Sequence, residues 1–343
     1  MAVRSRRRQL HRNSRHALPA HPREDKLRRT PSLSRRRTLG FLAAAAASAG
    51  YGVRAQSPAP ATAPVTAAPP ILRPIPATGE RIPAIGVGSW ITFDVPPGTA
   101  TEAPLIPVAR TFFERGGRMI DSSPMYGYSE AVIGDLLTET ATRSQMFSAT
   151  KIWTPFAANG RRQFEQSLKL WGIARFDTLY IHNLLAWETH YDYVRELKAA
   201  GRVRYIGVTT SEGNKHDEME RALTRGSFDV VQLTYNVADR RIEERLLPLA
   251  VERRLAIVVN RPFDFGHLFR AVGNRPLPAY ARDIDCANWA QFFLKFVISH
   301  PAVTCAIPAT SKAAHMAENI GALYGRLPDA ALRRRMATDV AAL

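Results

Sequence analysis

Leu255-Ala256-Ile257-Val258-Val259 is a run of five apolar residues with no polar break. A strand that faces water on one side alternates polar and apolar residues. An unbroken apolar run therefore describes a strand covered on both faces, as in a parallel sheet flanked by helices. Similar candidate strands lie near 84–89, 118–122, 146–151, 177–182, 203–208, 229–234 and 303–308. Amphipathic stretches with helical spacing separate them, for example Ser129–Glu139, Arg161–Trp171, Tyr191–Ala200 and Arg240–Glu252. Eight such alternations over about 250 residues predict an α/β fold of the (β/α)8 TIM-barrel type. An open doubly wound sheet fits less well, because no Gly-x-Gly-x-x-Gly follows the first strand.

Ahead of the barrel, Ile71 to Ile82 is interrupted by Ala77-Thr78-Gly79-Glu80 and predicts a short hairpin. The folded part is expected over 71–343, with a helical extension at its C-terminal end. A longer segment, about 261–285, is rich in Pro, Gly and Asp and should cover the mouth of the barrel.

The charge of +17 on 343 residues is unevenly spread. Residues 1–55 hold fourteen Lys and Arg against Glu24 and Asp25 alone, a net +12 that leaves only +5 for the remaining chain. A basic leader, rather than a nucleic-acid-binding face, accounts for this. Ser34-Arg35-Arg36-Arg37-Thr38-Leu39-Gly40 precedes Phe41, Leu42 and an alanine-rich stretch. This resembles a twin-arginine export signal, with cleavage expected after Val53-Arg54-Ala55. The apolar stretch from Leu39 to Gly52 is too short for a stable membrane anchor. The run before Ser34 is unusually long for such a signal, so either the leader is extended or the true start codon lies downstream. Residues 56–70, mostly Ala, Pro and Thr, read as a disordered linker. The export machinery is then an expected partner, and the periplasm the expected location. The two cysteines, Cys286 and Cys305, offer neither a disulfide framework nor a metal-ligand spacing.

Chemistry in a TIM barrel sits at the carboxyl ends of the strands. Those ends present Asp121, Lys151 and His182 on the second, third and fourth strands. Beyond Asp121 runs Asp-Ser-Ser-Pro-Met-Tyr-Gly-Tyr-Ser-Glu (121–130), which places Tyr126 on the loop above it. Asp-x-x-x-x-Tyr-Gly-x-x-Glu, followed by a strand-end Lys and a strand-end His, resembles the catalytic tetrad of the aldo-keto reductase family. The resemblance covers about 71–325. It implies an oxidoreductase that reduces aldehyde or ketone carbonyls, or oxidises the alcohols, with NAD(P)H. Tyr126 would be the general acid/base, Lys151 its tuning cation, Asp121 the partner of Lys151, and His182 the group orienting the carbonyl. The alternative is a non-catalytic nicotinamide- or ligand-binding barrel with a regulatory role.

The resemblance also implies cofactor contacts. Gly88, Ser89 and Trp90 lie at the carboxyl end of the first strand, and Gln232, in Val-Gln-Leu-Thr-Tyr-Asn (231–236), resembles the family's carboxamide-binding glutamine. Thr209 and Thr210 stand where Ser-Asn is common. At the seventh strand many members read Ala-Tyr-Ser-Pro; this chain reads Val259-Asn260-Arg261-Pro262 and lacks the stacking ring. Arg261 would contact the pyrophosphate or form a surface ion pair. Thr310, Ser311, Lys312, Glu318 and Asn319 resemble the family's adenosine-phosphate loop, but Ala309 and His315 stand where NADP-selective members carry Lys and Arg. Trp90, Trp153 and Trp187 are candidate walls of the substrate pocket, and Trp171 and Trp289 are expected in the core.

Overall fold

The computed structural model describes residues 69–343; residues 1–68, with the expected leader and most of the linker, lie outside the described residues. The described chain begins with the expected antiparallel hairpin, β1 (Leu72–Pro74) and β2 (Arg81–Pro83). Next, β3 (Val87–Gly88) leads to α1 (Leu105–Glu114), β4 (Met119–Asp121) to α2 (Ser129–Glu139), and β5 (Phe147–Ile152) to α3 (Ala157–Trp171). β6 (Phe176–Ile181) leads to α4 (Trp187–Ala199), β7 (Val203–Thr209) to α5 (His216–Arg225), and β8 (Val230–Thr234) to α6 (Leu246–Glu252). β9 (Ala256–Asn260) is followed by α7 (His267–Val272) and α8 (Trp289–Ile298), then β10 (Val303–Ala306) by α9 (Ala313–Gly321) and α10 (Ala330–Ala341).

Strands β3 to β10 pair in sequence order, all parallel. Parallel bridges Ile85–Ala306 and Gly88–Ala309 join the two ends of the sheet and close the barrel. Gly86 N donates to Ala306 O at 2.8 Å across this seam. Glycine is required at 86 because a Cβ there would lie 2.7 Å from the carbonyl oxygen of Met119 on the neighbouring β4.

Strand side chains alternate between two cores, as a period of two dictates. Met119, Phe147, Ala149, Tyr180, Tyr205, Val230, Ala256, Val258 and Cys305 fill the barrel interior, joined by Ile75 and Ile82 of the hairpin. Their neighbours, among them Ile120, Ile152, Leu179, Ile181, Val231, Ile257 and Val259, face the helices instead. The hairpin is tied to β7 by Glu80, whose carboxylate accepts from Tyr205 Oη (2.6 Å) and pairs with Arg204. Trp171 is fully buried, and Trp289 packs partly buried against the core.

The expected helix over 240–252 is broken. A 3-10 turn (Arg241–Glu243) precedes α6, and Pro248 lies in the first turn of α6. Proline has no N–H to donate to residue 244, so it is tolerated only near a helix start. The segment 261–285 likewise is not bare loop, since it contains α7 and a 3-10 turn over Ala279–Ile284.

Candidate active site

The same parity that fills the barrel interior builds its upper layer. Asp121 lies two residues beyond Met119, Lys151 beyond Ala149, His182 beyond Tyr180, Gln232 beyond Val230 and Asn260 beyond Val258. Each therefore points inward where its strand ends. Polar residues replace apolar ones at that level, and they satisfy one another. Lys151 Nζ donates to Asp121 Oδ2 (2.5 Å) and to Ser122 O (2.8 Å). Gln232 Nε2 donates to Asp121 Oδ1 (2.8 Å), while Gln232 Oε1 accepts from Thr209 Oγ1 (3.1 Å). Asn260 Nδ2 donates to Thr210 O (2.7 Å), and its Oδ1 accepts from Thr234 Oγ1 (2.8 Å).

Tyr126 is held over this layer by its loop. Tyr128 N donates to Asp94 Oδ1 (2.8 Å), and Gly127 lies so close that a Cβ there would overlap the Asp94 carboxylate. The Lys151 ammonium sits 5.1 Å from the Tyr126 ring centroid, and the His182 ring meets Tyr126 edge-on at 5.7 Å. His182 Nδ1 is hydrogen-bonded to Ser123 Oγ at 3.0 Å. Glu130, the last member of the sequence motif, is buried away from the cavity. It accepts from Thr150 Oγ1 (2.6 Å), Ser167 Oγ (2.8 Å) and Trp171 Nε1 (3.1 Å), which pins α2 to β5 and α3. Its role in this geometry is to hold the Tyr126 loop.

Burial dominates the electrostatics. It pushes the Asp121 carboxyl up, against the pull of Lys151 and Gln232. Burial also disfavours the Lys151 ammonium, but Asp121 and Tyr126 together outweigh it and hold the amine above its ordinary value. Burial raises the Tyr126 phenol despite the opposing pull of Lys151. The cation therefore moderates the rise rather than producing a net lowering. His182 is driven well below its ordinary value by burial and then by Lys151, so its ring is neutral at physiological pH.

A cavity of about 440 Å3 opens over these groups. Asp121, Tyr126, His182, Gln232 and Asn260 line it, with Gly88, Ser89, Trp90, Arg261 and Pro262. Other residues expected in the site lie elsewhere. Lys151 is fully buried behind Asp121. Thr209 and Thr210 are buried outside the cavity lining, bonded to Gln232 and Asn260 as described, and Ser211 and Glu212 take the cavity wall in their place. Thr310, Ser311, Lys312 and Glu318 lie outside the cavity around the start and along the length of α9, and Asn319 is on that helix's buried face. Trp187 does not wall the pocket; it is buried against Tyr191 and Phe228. Trp153 also falls outside the lining, exposed, with its backbone bonded to Gln163. The aromatic wall comes instead from Phe263, Phe265 and Phe269, three rings in the 261–285 segment whose density was the available sequence signal. Asn183, also unanticipated, lines the cavity with its Oδ1 buried and unpartnered among the described residues.

A model of the aldo/keto reductase family matches residues 84–336. The chain belongs to that family. Its similarity to an aldo-keto reductase of Bacillus subtilis, YhdN, is 28% identity over 53% of this chain and 59% of that protein. To the NADH-specific methylglyoxal reductase of Escherichia coli it is 26% over 61% of this chain and 72% of that protein. The crystal structure of an aldo/keto reductase from Klebsiella pneumoniae, in complex with NADP and acetate, superposes with a TM-score of 0.63 at 26% identity. That superposition covers 75% of this chain and 92% of the other.

Proposed function

We infer that this protein is a nicotinamide-dependent oxidoreductase that interconverts aldehyde or ketone carbonyls and the corresponding alcohols. The observation that carries this reading is the buried Lys151–Asp121 pair beside Tyr126, with a neutral His182 against the Tyr126 ring, at the base of a single cavity. Membership of the family and the NADP complex of the Klebsiella relative support a dinucleotide cofactor.

The site fits such a cofactor. Its volume is in the range of ligand pockets, and the buried, unpartnered Asn183 Oδ1 calls for an N–H of the kind a carboxamide offers. Gly88, Ser89, Gln232, Asn260 and Pro262 would hold the nicotinamide half, with Thr310, Ser311, Lys312, Glu318 and Asn319 toward the adenosine end. Bound NAD(P)H supplies the hydride. The chain's own residues do the rest. Tyr126 gives its hydroxyl proton to the carbonyl oxygen, and the neutral His182 donates a hydrogen bond that orients that oxygen. Lys151, held protonated by Asp121, stabilises the phenolate left behind. Gln232 braces the second oxygen of Asp121, so the carboxylate cannot swing away from Lys151. Binding of NADH and NADPH by fluorescence quenching, followed by cofactor oxidation with a panel of neutral and carboxylate-bearing aldehydes, tests this reading. Cofactor binding without turnover on any carbonyl would favour the regulatory barrel instead.

We also propose that residues 1–55 are a twin-arginine export signal and that the mature protein begins at Gln56 in the periplasm. The support is the Ser34–Gly40 motif, the alanine-rich stretch after it and the confinement of most of the net charge to this leader. The twin-arginine route carries folded proteins, which suits a cofactor enzyme loaded before export.

A further inference from the structure

Arg261 is the only Lys or Arg among the residues lining the cavity. Its guanidinium stacks 3.8 Å from the ring centroid of Phe265, and Phe265 meets Trp90 edge-on at 5.5 Å. Among the described residues that guanidinium makes neither a hydrogen bond nor an ion pair. The two carboxylates whose fields reach it are engaged elsewhere: Glu212 Oε2 accepts from Asn214 Nδ2 (3.0 Å), and Asp264 Oδ2 is bonded to His267 Nδ1 (3.1 Å). The surface ion pair considered for Arg261 is therefore absent among the described residues.

The backbone holds this arrangement against its own preference. Arg261, Asp264 and Phe265 have φ of 51°, 46° and 52°, three non-glycine residues in the left-handed region within five positions. Each such residue costs about 1–2 kcal/mol. A half-buried cation without a counter-charge is also unfavourable, and burial accordingly lowers the Arg261 pKa from its ordinary value. The second cost is offset when a ligand brings an anion to the guanidinium. Arg261 and Tyr126 line the same cavity, so an anion held by the guanidinium shares that space with the proton donor.

We propose that Arg261 receives a carboxylate carried by the substrate, so that the protein selects oxo acids and semialdehyde acids over neutral carbonyl compounds. This rests on the reductase reading above. A diphosphate in the cofactor presents the same anionic oxygens; the substrate is favoured because its carbonyl must lie at Tyr126, in the cavity that Arg261 also lines.

The experiment compares 4-carboxybenzaldehyde with its methyl ester, and succinic semialdehyde with butanal, using the whole protein and either cofactor. Wild type should favour each carboxylate in kcat/KM by at least ~10-fold, the scale of a charge-assisted hydrogen bond. Arg261→Leu should bring both ratios close to one, and Arg261→Lys should keep part of the preference. Any change that Arg261→Leu makes in the Tyr126 phenol affects both members of a pair alike and leaves the ratio untouched. Equal turnover of acid and ester by wild type, or an undiminished preference in Arg261→Leu, would overturn the proposal. So would a variant in which both substrates fall equally while NADH and NADPH binding weakens, which would assign the cation to the diphosphate. Failure of wild type to turn over any of the four compounds would count against the reductase reading itself, whereas turnover without acid preference counts against Arg261 alone.

Discussion

Lys151 Nζ lies 2.5 Å from Asp121 Oδ2, and neither side chain is more than 4% exposed. An ion pair so enclosed contributes little net stability, because desolvating both charges offsets their attraction. Removing one partner, however, strands the other. The ammonium lies 5.1 Å from the Tyr126 ring centroid, and in the proposed mechanism it keeps a positive charge where the phenolate would form.

Lys151→Met should therefore shift the pH profile of alcohol oxidation upward. The sign follows from the phenol. Burial already raises Tyr126, and the pull of Lys151 exceeds the push of Asp121, so removing the cation, alone or together with the Asp121 charge, leaves the phenol higher. The base form then appears only at higher pH. Because losing the ammonium would strand the Asp121 carboxylate, Asp121→Asn should be combined with this substitution to preserve the fold. Rates of NAD(P)+ reduction between about pH 7 and 11 check this, and an unshifted midpoint with retained activity would remove Lys151 from the mechanism.

His182 predicts a stability effect of the opposite kind. Its folded pKa is depressed well below 6.5, chiefly by burial, while the unfolded chain takes up a proton near 6.5. The unfolded state thus binds more protons as the pH drops. The contribution is complete above about pH 6.5 and is lost as the pH falls toward the folded value. Between pH 7.5 and 5.5 wild type should lose up to about 1.4 kcal/mol more than His182→Gln in urea unfolding. Equal losses would show that the ring already titrates in the folded protein.

Cofactor choice gives a third test. A 2′-phosphate normally needs Lys or Arg held beside it, yet Ala309 stands exposed at the cavity edge and His315 is exposed at the start of α9. Discrimination between NADPH and NADH should stay under ~100-fold, and Ala309→Lys with His315→Arg should raise NADPH affinity by roughly 1–3 kcal/mol. Titration of each cofactor at fixed salt measures both. A thousandfold wild-type preference for NADPH would show that another cation, such as Lys312, supplies the clamp.

The strands were legible because burial on both faces leaves a continuous apolar run, as from Leu255 to Val259. The inward layer was legible for the same reason, since Asp121, Lys151, His182, Gln232 and Asn260 interrupt apolar strand ends in register. What lies past a strand end was not. Thr209 ends β7 and keeps the inward parity of Tyr205, but Asn260 and Gln232 engage that corner and put it below the cavity. Trp187 follows the fourth strand end closely in sequence, but α4 starts at this residue and its ring packs against Phe228. Arg261, Asp264 and Phe265 adopt positive φ without being glycine, and only Gly266 marks that turn, so the ring density of the segment was legible but its path was not.

Export of the protein can be tested without altering its charge. Replacing Arg35, Arg36 and Arg37 together by lysine should leave the chain in the cytoplasm with its leader uncleaved, because a receptor reads arginine rather than charge. Fractionation with an N-terminal analysis of the periplasmic product decides this, and normal export of the triple variant would overturn the assignment.

The central claim is that Tyr126 delivers the proton, and single-turnover kinetics of Tyr126→Phe test it most directly. The variant keeps the ring against His182 and loses only the hydroxyl. Carbonyl reduction should slow by at least ~10²-fold while the dissociation constants of NADH and NADPH remain nearly unchanged. Reduction at close to the wild-type rate, or a loss of rate matched by an equal loss of cofactor binding, would contradict it.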